Sequence, residues 1–77
     1  MKKELLTLNY EYTDTFGGES NYSWVRRGTV TAKTERGLVR AAKKAVGLNG
    51  VRGRWRYNGE AFIPYGSCTI LFFLPAY

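Results

Sequence analysis

Seventy-seven residues suffice for one domain spanning 1–77, close to the lower limit at which a single hydrophobic core sustains a fold. The absence of histidine and the presence of a single cysteine, Cys68, exclude Ser-His and Cys-His catalysis, an internal disulfide framework and a four-cysteine zinc site. The formal charge of +6 is unevenly spread: ten Lys/Arg stand against Glu35 alone between Arg26 and Arg56, while the remainder sets Lys2 and Lys3 against Glu4, Glu11, Asp14, Glu19 and Glu60, so the middle third should attract anions.

The opening MKKELLTLNY carries two lysines, but Glu4, Thr7 and Asn9 break the apolar run behind them. It does not read as a signal peptide. The longest apolar run, Ile70 to Leu74, is far short of the roughly 20 residues that span a bilayer. The expectation is a protein of the cytoplasm, with no membrane partner. From Leu5 to Thr13 the pattern alternates, with Leu6, Leu8, Tyr10 and Tyr12 on one face, which predicts a half-buried strand. Asp14 to Ser20 is rich in turn formers, including Gly17-Gly18, and predicts a hairpin loop with Phe16 and Glu19 at its tip. Alternation resumes from Asn21 to Ala32. The spacing predicts that Tyr22 and Trp24 share one face over the Leu/Tyr stripe of the first strand, and Gly28 is a candidate bulge.

Thr34 is placed to cap a helix from Glu35 to Val46, with Glu35 against the positive helix end. Leu38, Val39, Ala41, Ala42, Ala45 and Val46 fall within an arc of roughly 160°, with Arg36, Arg40, Lys43 and Lys44 opposite. Gly47 followed by Leu48 predicts the stop. VRGRWRY, Val51 to Tyr57, alternates sharply: Val51, Gly53, Trp55 and Tyr57 face one way and Arg52, Arg54 and Arg56 the other. Asn58-Gly59 signals a tight hairpin that pairs Trp55 with Phe62 and Arg56 with Ala61. Pro64 and Gly66 limit the returning strand, and CTILFFL, Cys68 to Leu74, is apolar on both faces, as a central strand would be. The predicted fold class is α+β: an antiparallel four- or five-stranded sheet in β-β-α-β-β-β order with one amphipathic helix packed on one face.

Little in the chain carries reaction chemistry, and no cofactor or metal is expected. Cys68 reads as inert filling of an apolar strand. Asp14 and Glu19 flank one loop, where two carboxylates are ordinarily solvated turn residues. The glycines 47, 50 and 53 follow the helix, whereas a phosphate cradle precedes one. Surfaces remain. Arg52, Arg54 and Arg56 at period two lie about 6.6 Å apart, comparable with phosphates along one nucleic-acid strand. Arg36, Arg40, Lys43 and Lys44 form a second basic patch on the helix, on the far side of the sheet if the helix covers the Trp55 face. The third is Phe16 and Glu19 at the loop tip beside Trp24, Arg26 and Arg27, where an exposed Phe is the kind of anchor protein interfaces use.

YTDTFGGESNYSWVRRG followed by a helix of the type RAAKKAVGLNGVRGRWR resembles a recurring family of small proteins encoded by bacteriophages and prophages. More loosely, a strand, a basic Ala-rich helix, a glycine and an arginine-bearing strand are similar to some compact α+β anti-CRISPR proteins. That resemblance implies a non-enzymatic inhibitor in a bacterial host cytoplasm, which docks on a host protein or nucleoprotein complex and blocks its nucleic-acid path. The basic charge runs against mimicry of nucleic acid and favours docking on an acidic face or on nucleic acid itself. The residues alone leave open a basic nucleic-acid-binding module that uses the arginine-lined strand and exposed aromatics, and a monomer or an edge-paired homodimer.

Overall fold

A computed structural model describes residues 5–17 and 20–76. Strand β1 (Leu6–Asp14) and strand β2 (Val25–Ala32) form a hairpin, helix α1 (Glu35–Ala45) follows, and β3 (Gly53–Arg56), β4 (Ala61–Pro64) and β5 (Thr69–Pro75) complete one five-stranded antiparallel sheet. Its spatial order is β2-β1-β5-β4-β3. The last strand therefore lies in the centre, which is why CTILFFL is apolar on both sides. The helix carries the chain from one edge of the sheet to the other, across one face.

The local chemistry explains the helix limits. The Thr34 hydroxyl accepts from the Gly37 amide at 3.0 Å, and Glu35 occupies the first turn. At the other end the Gly47 amide donates to the Lys44 carbonyl and the Leu48 amide to that of Lys43, with Gly47 at φ +80°. This is the reciprocal closure that a left-handed residue after the last turn permits, and buried Leu48 supplies its apolar contact.

Leu38, Ala42, Val46 and Leu48 meet Leu8, Phe62, Leu71 and Phe73 on the helix side of the sheet. Each large side chain buried there contributes roughly 1.5–3 kcal/mol. Tyr10, Tyr12 and Val30 pack against this core from the same side. The Arg56–Ala61 and Trp55–Phe62 pairs form as the Asn58-Gly59 hairpin requires, and the Glu60 amide closes the turn on the Tyr57 carbonyl at 3.1 Å.

Four local expectations are corrected. The returning strand starts at Val25, not at Asn21, and Tyr22 sits at φ +55° outside it. Gly28 pairs with Tyr10 in an unbroken ladder and is no bulge; a Cβ there would collide with the Tyr10 ring, whose Cε2 would lie 2.8 Å away. The Tyr10 ring crosses this glycine, and a side chain here would have to displace that ring. Tyr57, at φ +53°, leaves the alternation of its strand and joins the turn. Cys68 lies exposed just before β5 and not within the strand.

Candidate functional site

The face of the sheet away from the helix divides into three zones. On β1 and β2 it is polar and internally paired: the Thr29 hydroxyl donates to Asn9 Oδ1 at 2.8 Å, and Arg27 Nε contacts Glu11 Oε2 at 3.1 Å. On central β5 it presents Phe72 and Leu74, with Ile70 on the same side but buried. On edge strand β3 it presents Arg54 and Arg56, whose ladder partners Ile63 and Ala61 share that side. Phe72 is the hinge between the zones. Tyr22 stacks on its ring from one quarter, with centroids 6.5 Å apart and planes 9° apart, and Tyr57 stacks from another at 6.4 Å and 24°. Tyr22 is 49% and Tyr57 60% exposed, so the cluster is a presented surface and not core. Arg56 carries its guanidinium to 5.8 Å from the Tyr57 centroid, within cation–π reach.

Tyr22 reaches Phe72 because the loop base is tightly fastened. The Asn21 amide donates to the Asp14 carbonyl (3.0 Å), the Ser23 amide to Asp14 Oδ1 (3.2 Å), the Thr13 hydroxyl to the Trp24 carbonyl (2.6 Å) and the Thr15 amide to the Cys68 carbonyl (2.7 Å). Burial raises the pKa of the Asp14 carboxyl, but hydrogen bonds from the Ser23 side chain and amide, its own amide and Thr13 together hold it below the usual aspartate value. Trp24 goes the other way. It meets Tyr12 edge-on at 5.4 Å on the helix side, so Tyr22 and Trp24 occupy opposite faces and not one.

The three expected surfaces map unevenly onto this geometry. Arg54 and Arg56 share the outer face, with Arg52 just before β3 and exposed; among the described residues no carboxylate comes within ion-pair distance of any of the three. The loop surface splits. Phe16 is 76% exposed beside Gly17, Arg27 lies on the outer face bound to Glu11, and Arg26 lies on the helix side with Trp24, lining a depression that Val46 and Thr69 share. Glu19 lies outside the described residues. On the helix, Arg36, Arg40 and Lys44 are exposed, but Lys43 is drawn inward: its ammonium donates to the Val51 carbonyl at 2.9 Å and sits 4.3 Å above the Phe62 ring. Arg36, Arg40 and Lys43 line a groove with Trp55.

Sequence reasoning missed Tyr22, Tyr57 and Phe72. Strict alternation assigns both tyrosines to the helix side, and only the left-handed backbone turns them outward. The available signal was CTILFFL: a strand apolar on both faces places a Phe on the outer side that needs neighbours. Among the described residues no three His, Cys, Asp or Glu side chains gather as a metal site, and no helix is long and apolar enough to cross a membrane. Comparison with models of protein families, with curated proteins and with solved structures found no match.

Proposed function

We propose that the chain is a non-enzymatic binding protein whose outer sheet face takes single-stranded nucleic acid. The observation that carries this reading is the Tyr22–Phe72–Tyr57 cluster lying on the same face as Arg54 and Arg56. Bases stack on exposed aromatic rings for roughly 1–3 kcal/mol each regardless of sequence, while arginines beside the rings track the phosphates. A sheet presents both at fixed spacing, and an aromatic-bearing sheet face is a recurrent solution for splayed single strands. We place this activity in the setting that the sequence resemblance to phage-encoded proteins implies, a bacterial cytoplasm in which the strand bound is free nucleic acid or the exposed strand of a host nucleoprotein complex.

The test is fluorescence anisotropy with a labelled single-stranded oligonucleotide at low ionic strength. Binding is expected, and replacing both Arg54→Glu and Arg56→Glu should weaken it about tenfold or more, the scale of one or two lost charge-assisted contacts. Equal affinity of the double variant and the parent, at unchanged circular dichroism, overturns the reading.

A second reading has its own observation. Phe16 stands 76% exposed beside Gly17 at φ +85°, in the segment that follows β1. A bare aromatic on a turn is an anchor for a protein pocket, and it supports a phage-type inhibitor that docks on a host protein through the tip. Phe16→Ala should abolish capture of such a host protein and leave oligonucleotide binding unchanged.

A further inference from the structure

The helix side of the sheet carries a second concavity that the outer-face reading does not use. Helix α1 lies mainly over β1 and β2 and leaves the β3 end of that face uncovered. The result is a groove of about 520 Å³ between the helix and Trp55, with Arg36, Val39, Arg40, Lys43 and Asn49 around it. Its floor is rigid: the Trp55 indole is supported by Phe73, with centroids 5.5 Å apart and planes 28° apart, and by Phe62 at 5.0 Å, yet remains 47% exposed. Its wall is cationic. Arg36 and Arg40 are one helical turn apart on the same side of α1, and the Lys43 ammonium is immobilised between the Val51 carbonyl and the Phe62 ring. Among the described residues no carboxylate lines the groove.

An indole that offers one face, a Val39 side chain, two guanidiniums and a fixed ammonium around one groove match a ligand of two parts. One part is flat and aromatic, to stack on Trp55. The other carries at least one phosphate, since planar guanidiniums grip phosphate by paired hydrogen bonds. A groove of this volume is in the range of small-molecule sites. We infer that it is a nucleoside-phosphate site, separate from the outer face and on the opposite side of the sheet.

Trp55 provides the readout. In a Trp24→Phe background it is the only indole, so its N–H resonance in a nitrogen-15 spectrum reports this groove and no other place. Adenosine monophosphate should shift that resonance in a saturable way, with adenosine and inorganic phosphate each at least tenfold weaker. The Arg36→Ala, Arg40→Ala double variant should lose at least tenfold in affinity, while Arg54→Glu with Arg56→Glu should leave it within twofold. These last variants separate this site from the outer face: oligonucleotide binding can fail with the nucleotide titration intact, or the reverse. No shift at millimolar adenosine monophosphate overturns the inference, as does an equal response to adenosine, which would leave the arginines without a role.

Discussion

Two tyrosines hold φ above +50°, and a bulky L-residue reaches that region only when its surroundings force it. The cost is of order 1–3 kcal/mol at each. At Tyr57 the return visible within the molecule is a partly exposed stack on Phe72, worth about 0.5–1.5 kcal/mol, and the Arg56 guanidinium 5.8 Å from its ring, worth about 0.5–1 kcal/mol at an exposed site. Cost and return nearly cancel, so the fold gains little from the side chain that strains it. A residue in that position is better explained by what its ring meets outside the molecule. Tyr57→Gly relieves the strain and deletes the ring, and its thermal or denaturant stability should stay within about 1 kcal/mol of the parent while single-strand affinity falls about fivefold or more, the loss of one stacked base. A variant that unfolds readily yet still binds with parental affinity would show that the ring serves the fold.

At the scale of elements, the β1–β2 hairpin depends on one carboxylate for the shape of its loop. Asp14 accepts from the Ser23 amide, and the segment between them brings Tyr22 onto Phe72. Because hydrogen bonds hold its pKa below the unfolded value, the stabilisation is complete above that value, about pH 4, and is lost as pH falls through the lower folded one. The protection of the Ser23 amide, its exchange relative to the unprotected rate at the same pH, should fall as pH drops through that acidic window, and Asp14→Asn should remove this pH dependence of protection by removing the titrating group. A Ser23 amide equally protected on both sides of the window would show that backbone contacts alone close the loop. Which elements were legible follows from the same physics. Helix α1, its Thr34 cap and its Gly47 stop obey local rules, as does the Asn58-Gly59 turn that sets the Trp55–Phe62 register, so five strands and one helix were readable from pattern. Gly28 was not, since its reason is a ring from a neighbouring strand and not its own backbone. Of the candidate surface, the arginines of β3 were readable by period. Tyr22 and Tyr57 were not, because a single left-handed residue reverses the side that alternation assigns and has no signature at the tyrosine itself.

For the molecule as a whole, the question is whether its charge acts as a diffuse field or as a defined site. Ten Lys/Arg lie between Arg26 and Arg56, but the fold scatters them: Arg27 is spent on Glu11, Lys43 is turned inward, Arg36, Arg40 and Lys44 lie on the helix, and Arg54 and Arg56 lie on the far face with Arg52 beside them. One flat ligand cannot touch all of these. Each phosphate neutralised on a single strand contributes about −0.7 to the slope of log K against log salt. A strand held by Arg52, Arg54 and Arg56 should therefore give a slope of about −2, whereas a polycation wrapped by nucleic acid through all ten would approach −7. With Arg54→Glu and Arg56→Glu the slope should flatten to about −0.7 or less, because a single arginine would remain. The stacking contribution of Tyr22 and Tyr57 is unscreened, so residual affinity at high salt should vanish in a Tyr22→Ala, Tyr57→Gly variant and persist in the arginine variant. A slope near −7 that the two arginine substitutions hardly change would assign binding to overall charge and remove the outer face from the mechanism.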